Sequence, residues 1–316
     1  MNLGIVIPVF DDWESCSQLL DVLADTLGER GIAVTVYIVD DGSTERPDPA
    51  RLTPGGMDVH LVELVCNVGN QRAIALGLCV AQRNVALDAV AVMDGDGEDR
   101  PEDLMKLIDA YERERLSAVV VARRDQRSEG WVFRLFYQAY RLLFYALTGR
   151  RLQFGNFSLI PRPALDRLVY IPDIWNNLAA AIHRSRLGIL AVRTARGVRY
   201  AGRSSTSLTS LIVHGLSSVS VYSDVVFVRL LLFSAIVAVT AFAGILVALS
   251  LKFFTDLATP GWTTTAVGTL AIISLQLIVL SIAGSFLLLS NRTHAVTVPA
   301  MRADEYIRSV VRFPSG

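Results

Sequence analysis

Two carboxylates two positions apart, in the run Asp94-Gly95-Asp96, directly follow the apolar stretch Val85–Met93. In extended chain such a pair can share one divalent cation, and a cation held there can bind a diphosphate. A second acidic turn, Asp40-Asp41-Gly42-Ser43, ends the apolar run Val34–Val39. Neighbouring strand ends of this kind place carboxylates on one rim of a sheet, where ligands of open parallel sheets bind. A D-x-D alone is a weak signal, because acidic loops that cap a following helix are common.

The elements that would position these acids follow from periodicity. Leu3–Val9 is a continuous apolar run suited to a strand covered on both faces. Asp12 can cap a helix whose Cys16, Leu19, Leu20, Leu23 and Leu27 recur at helical spacing, and Val34–Val39 completes a βαβ unit. The alternation continues with strand Val59–Val65, a helix over 70–83, strand Val85–Met93, a helix opened by Pro101, and strand Ala118–Ala122. Strands near Asn156–Ile160, Ile189–Thr194 and Val198–Tyr200 and helices over 163–169 and 173–186 follow. The pattern predicts an α/β domain with a mostly parallel sheet and helices on both faces.

Taken in order, Asp40-Asp41-Gly42-Ser43-Thr44, Asn67-Val68-Gly69-Asn70 and Asp94-Gly95-Asp96-Gly97-Glu98 resemble the family-2 inverting glycosyltransferases of the GT-A fold. Within them the chain is most similar to the polyprenyl-phosphate glycosyltransferases, relatives of dolichol-phosphate mannose synthase, over roughly residues 3–225. The resemblance implies that Pro8 and Phe10 line a nucleotide pocket, that Asp40 or Asp41 accepts hydrogen bonds from base or ribose, and that Asp12 assists. It assigns Asp94 and Asp96 to Mg²⁺ or Mn²⁺ on the donor diphosphate, with Asp96 the more constant ligand, and Glu98 to a donor or acceptor phosphate. Asn67 and Gly69 match a segment that passes close to ribose. Arg124 and Arg127 stand where relatives carry arginines, a suitable counter-charge for a lipid phosphate.

The match departs from the family in two places. In Gln153-Phe154-Gly155-Asn156-Phe157-Ser158 no carboxylate stands where relatives often carry an Asp that could act as base. Either an ionised phosphate acceptor needs no strong base, or Asp173 supplies the carboxylate; a simple helix cap is its bland alternative. The segment Arg199-Tyr200-Ala201-Gly202-Arg203-Ser204-Ser205 is similar to the family's R-x-x-G-x-S-K loop without its lysine, and Arg203 is the candidate to compensate.

Composition sets the rest. The 316 residues suffice for one sizeable α/β domain plus something smaller, and the mean hydropathy is +0.42. Residues 225–251, interrupted only by Arg229, and 265–289, free of charge, are each long enough to cross a hydrocarbon core of about 30 Å, so both read as transmembrane helices. A buried helical hairpin in a soluble core is the competing reading. Arginines flank the two spans on the outside, whereas their connecting loop holds only Lys252 and Asp256, so the positive-inside rule puts both ends in the cytoplasm. The expected layout is a catalytic domain over 1–206, whose aromatic and basic stretch 123–151 suits a membrane interface, and a juxtamembrane amphipathic helix over 207–224. The two spans and a cytoplasmic tail over 290–316 complete it. No segment reads as an export signal, which places the protein in the inner membrane as a multi-pass chain. Cys16, Cys66 and Cys79 lack metal spacing and read as packing residues in a reducing compartment. Thirty basic and thirty acidic residues leave no electrostatic footprint for nucleic acid.

The expectation is therefore an inverting transfer of one sugar from a UDP- or GDP-hexose to a polyprenyl phosphate, with membrane lipid as the surrounding partner. Relatives with two spans can associate through them, so a homo-oligomer belongs to the expectation. A hydroxyl acceptor on a lipid-linked glycan or glycolipid is the alternative enzyme, and a catalytically silent membrane scaffold is the alternative from another class.

Overall fold

The computed structural model describes residues 1–53, 55–114, 118–124, 131–150, 154–201, 215–255, 259, 261–293 and 297–313. They divide into a sheet-bearing unit (Met1–Tyr137, Arg151–Val221, Thr297–Gly316) and a helical unit (Gln138–Arg150, Tyr222–Val296).

In the first unit, β1 (Asn2–Val9), β2 (Ala33–Asp40), β3 (Met57–Leu64), β4 (Ala89–Val92), β5 (Val119–Arg124), β6 (Ser158–Pro161), β7 (Ile189–Thr194) and β8 (Ile307–Phe313) form one sheet, in the order β7-β5-β6-β4-β1-β2-β3-β8. Strands β3, β2, β1 and β4 run parallel, as do β5 and β7, whereas β6 and β8 are antiparallel to their neighbours. Alternate residues of β1 feed opposite faces. Leu3, Ile5 and Ile7 pack with α1 (Trp13–Gly28) and α3 (Pro101–Glu114), and Val6 packs with α2 (Asn70–Gln82), α5 (Arg162–Leu168) and α6 (Leu178–Arg184). Helices on both faces explain why β1, β2 and β4 are nearly continuous apolar runs. The predicted mostly parallel α/β sheet is what forms.

Several boundaries differ from the expectation. Strand β4 begins only at Ala89, because Asn84–Asp88 makes a turn whose Asp88 carboxylate accepts from Asn2 N at 2.7 Å. The helix expected over 173–186 is a 3-10 turn at Pro172–Trp175 followed by α6, which Asn177 caps by accepting from Ala180 N at 2.9 Å. Val198–Tyr200 is not a strand; its Tyr200 amide serves the loop described below. Asp12 precedes α1 but makes no side-chain cap, because its carboxylate is taken by an arginine. Cys16 and Cys79 are buried as expected, and burial pushes both thiols up to about 12, whereas Cys66 is exposed.

The largest departure is at the C-terminus. Residues 307–313 are the sheet's edge strand, paired antiparallel to β3 from Val59↔Phe313 to Leu64↔Ile307. Arg312 clasps Asp58 with hydrogen bonds of 2.7–3.1 Å, and Val65 N donates to Tyr306 O at 2.9 Å. A seven-residue strand carrying two arginines reads as a basic tail until a partner edge is known.

In the helical unit, α7 (Ser223–Phe254) and α8 (Trp262–Thr293) pack along each other, with Phe227 against Gly284 and Leu270 against Gly244. At 32 residues each helix is about 48 Å long. Stretches of mean hydropathy 2.7 and 2.3 within them make both long and apolar enough to cross a membrane. Phe233, Ile236, Val239, Phe242, Ile278 and Phe286 lie exposed, which a hairpin buried in a soluble core would not allow. Helix α4 (Trp131–Thr148) ends in this unit. There Arg229 donates to Ala146 O at 2.8 Å, satisfying carbonyls at the negative end of the helix. The first element after α8 is the short α9 (Pro299–Arg302), back in the sheet-bearing unit.

Two outcomes check this packing. A Cβ on Gly77 of α2 would stand 2.5 Å from Val6 Cγ1 and 2.7 Å from Val39 Cγ2, so Gly77→Ala is expected to cost about 1–3 kcal/mol in denaturant unfolding of the detergent-solubilised protein. Hydrogen bonds from Arg312 hold the Asp58 carboxyl below its usual range. The clasp therefore contributes fully above the unfolded carboxylate pKa and is lost as pH falls through the lowered native value. Asp58→Asn is expected to flatten the fall of the melting temperature in that acid window.

Candidate active site

The carboxyl end of β1 lies between the two acidic loops. On the β2 side Val9 is in register with Asp40, and Asp41 N donates to Val9 O at 2.9 Å. On the β4 side Met93 N donates to Val6 O at 3.2 Å, and Gly95 lies so close that a Cβ there would meet Ile7 Cγ2 at 3.1 Å and Pro8 O at 3.4 Å. Each loop is thus one strand away from β1, about 5 Å in a sheet, and both sit on the same rim. The structure brings together Pro8, Phe10, Asp12, Asp40, Asp41, Asn67, Gly69, Asp94, Asp96 and Glu98.

Their roles in the geometry differ. Asp41 is buried and turned inward, its two oxygens accepting from Val68 N at 2.7 Å and Gly69 N at 2.9 Å. Burial pushes its carboxyl up, and those two amides work against the shift. Asp41 therefore shapes the Asn67–Gly69 turn, leaving the half-buried Asp40 as the acid of the pair nearer the rim. Asp40 accepts from Ser43 N at 2.8 Å. Gly42 passes so near that turn that a Cβ would stand 2.7 Å from Asn67 N. Gly69, at φ +90°, then opens α2. Phe10 is half exposed at the strand end.

A residue that the sequence reading missed knits these loops. Asp11, at φ +50°, accepts from Thr44 N at 2.7 Å, Thr44 Oγ1 at 3.1 Å and Glu45 N at 3.3 Å, while its own amide donates to Ser43 Oγ at 3.0 Å. Aspartate tolerates the left-handed region better than most residues. Only the pairing of β1 with β2 reveals the role.

The Asp94–Asp99 loop is ordered from within and covered from outside. Buried Asp99 accepts from Asp94 N at 3.0 Å, and Asp96 Oδ1 accepts from Glu98 N at 3.0 Å. Residues 195–201 lie along it: Gly197 N donates to Glu98 O at 2.8 Å and Tyr200 N to Asp96 O at 3.0 Å. Arg196 grips Glu98 with two hydrogen bonds of 2.8 and 3.1 Å, so this carboxylate is engaged by the chain itself. Gly97, at φ +87°, lies under the Tyr200 ring where a Cβ would collide. Arg199 reaches furthest: its guanidinium pairs with Asp12, and its Nη1 lies 3.2 Å from Asp96 Oδ2. Burial pushes the Asp96 carboxyl up, with the Glu98 amide and the Arg199 charge opposing it.

On the third side, Gln71 in the first turn of α2 donates to Asn156 Oδ1 at 3.1 Å and accepts from Leu178 N at 2.9 Å, tying together β6's approach and the start of α6. Asp173 lies in the 3-10 turn just before this junction, 3.4 Å from Arg184. Arg124 is the last residue of β5, opposite Thr194 of β7. Arg127, Gln153 and Arg203 lie outside the described residues.

Asp94 and Asp96 offer only hard oxygen donors, a set suited to Mg²⁺ or Mn²⁺. Among the described residues no third His, Cys, Asp or Glu completes a metal-binding group, so the remaining ligands would come from phosphate and water.

The family profile described as "Glycosyl transferase family 2" matches residues 4–168, more than half of the chain. Among curated proteins, the chain is similar to the uncharacterised glycosyltransferase YkcC of Bacillus subtilis, with 22% identity over 295 residues, 91% of this chain and 88% of that one. It is 27% identical over 204 residues to a dodecaprenyl-phosphate galacturonate synthase of Rhizobium johnstonii, 61% of this chain and 58% of that one. An undecaprenyl-phosphate 4-deoxy-4-formamido-L-arabinose transferase of Edwardsiella ictaluri is 26% identical over 190 residues, 56% of each chain. The chain thus spans little more than half the length of several of these relatives.

The inward role of Asp41 is directly testable. Asp41→Ala leaves two amides without their acceptor and is expected to cost about 1–3 kcal/mol, with faster hydrogen exchange confined at first to residues 67–70. Asp41→Asn, which keeps one acceptor oxygen, should lose less.

Proposed function

The chain belongs to glycosyl transferase family 2 and is a glycosyltransferase, and from that premise we propose that it moves one hexose from a UDP- or GDP-sugar to a polyprenyl phosphate at the cytoplasmic face of the inner membrane, with inversion. The observation that carries this reading is the convergence of the Asp94–Asp96 loop and the Asp40 turn on the end of β1, in a chain that also holds two apolar helices of membrane-crossing length. Two relatives named for polyprenyl-phosphate carriers support the acceptor.

In this reading Asp40, Phe10 and the Asn67–Gly69 turn seat the nucleotide, and Asp94 and Asp96 would hold Mg²⁺ or Mn²⁺. When bound, that cation neutralises charge on the departing diphosphate. A phosphate oxygen of the acceptor forms the new bond to the anomeric carbon from the face opposite the leaving nucleotide. The acceptor is already ionised near neutral pH, so its attack needs no strong general base, in keeping with the absence of a carboxylate from 153 to 160. Arg124 and Arg127 would hold this anion, and Arg203 the donor phosphates. Connectivity favours a common side for both ends of the hairpin. The chain leaves the sheet-bearing unit before α7 and re-enters it at α9 and β8, and two crossings return it to the side it left. The arginines flanking the hairpin make that side cytoplasmic.

The test is incubation of membranes containing the protein with a panel of labelled UDP- and GDP-sugars and polyprenyl phosphate. One donor should yield a labelled lipid, lost on chelation of divalent ions and in Asp96→Ala. Release of nucleotide without a labelled lipid would overturn the acceptor. Asp173→Asn separates the phosphate from a hydroxyl acceptor: turnover near that of the unaltered protein fits the phosphate, whereas a loss of about a hundredfold or more would show that a base is needed.

A further inference from the structure

Arg199 is a charged side chain that the reaction scheme above does not use, yet it sits on the carboxylate the scheme needs most. It is held at three points: Nε donates to Ala201 O at 2.9 Å, Nη1 lies 3.2 Å from Asp96 Oδ2, and Nη2 pairs with Asp12. Asp96 Oδ1 is meanwhile occupied by the Glu98 amide. Both oxygens of the second D-x-D acid therefore already have partners, and the positive charge a cation would supply is supplied by the chain. All three groups are about three-quarters shielded from solvent, where charges are screened less than at an open surface.

We infer that Arg199 is a positioning residue that competes with a divalent cation for Asp96, so that the ion binds tightly only together with the nucleotide diphosphate. The inference rests on the reading of Asp96 as a metal ligand. A guanidinium and a divalent cation repel each other at adjacent positions on one carboxylate, so entry of the ion requires Arg199 to withdraw from Asp96 Oδ2. An incoming diphosphate removes that obstacle, because its own negative charge offers the guanidinium another partner. The backbone suits such an exchange. Gly197 N to Glu98 O and Tyr200 N to Asp96 O hold segment 195–201 against the loop without help from the Arg199 side chain, so the side chain can swing while the segment stays. Asp12 gains a role as well: it is the second anchor of the guanidinium.

The experiment is Mn²⁺ binding by the detergent-solubilised full chain, followed by electron paramagnetic resonance with and without UDP or GDP, for the unaltered protein, Arg199→Gln and Arg199→Lys. Arg199→Gln keeps hydrogen-bonding capacity without charge. It should bind Mn²⁺ roughly tenfold more tightly in the absence of nucleotide, a coupling of ordinary size, and the gain should shrink when nucleotide is present. Arg199→Lys, which keeps the charge, should stay near the unaltered protein. Equal nucleotide-free affinity for Arg199→Gln and the unaltered protein would overturn the inference while leaving the metal reading intact. Equal tightening in Arg199→Lys would overturn it too, because loosening of the loop rather than loss of charge would then be the cause. No Mn²⁺ binding by any of the three, with or without nucleotide, would overturn both readings. Melting temperatures recorded alongside identify any variant that is not folded, and the remaining variant then carries the comparison.

Discussion

The position of β1 is the constraint on which the rest of the molecule depends. As an inner strand between β2 and β4, all parallel, it brings two acidic loops to one rim and separates them by about two strand spacings. That separation suits a ligand with a nucleoside at one end and a charged diphosphate at the other. The loops do not rely on solvent to hold their shape. Asp11 gathers residues 43–45, Asp41 gathers 68 and 69, and Asp99 holds Asp94. Three aspartates thus serve as internal acceptors so that others can face the rim. Leaving amides in such turns without partners would be costly, so these acceptors keep an acidic region in a defined shape.

Much of this was legible in the sequence because its signals are local. Apolar runs ending in Asp40 and Asp94 mark parallel strands whatever lies beside them, and the two long apolar spans need no partner to be recognised. The family relationship likewise shows in an ordered set of short motifs, and the profile match over 4–168 bears it out.

What was not legible depends on contacts between distant segments. Asp41 cannot be told from Asp40 until the Asn67–Gly69 turn is placed over it. Val198–Tyr200 has strand-like residues, but the Tyr200 amide finds its partner on Asp96 O, as that of the preceding Gly197 does on Glu98 O, rather than on a neighbouring strand. Arg199 is one of several arginines ahead of the first span in sequence, and only the fold shows it bound to carboxylates 187 and 103 residues away. Strand β8 is the clearest case: Ile307, Ser309 and Val311 alternate with Arg308, Val310 and Arg312 in a pattern that becomes a strand only beside β3.

That strand also imposes an order of events on biosynthesis. Residues 307–313 leave the ribosome after α7 and α8, so the edge of β3 stays unpaired until both long helices have been made. The finished sheet therefore forms only after both helices have been made, and the exposed edge must be shielded in the interval by chaperones. A nascent chain that stalls before residue 307 would present an open β-edge along β3, a ready target for quality-control proteolysis.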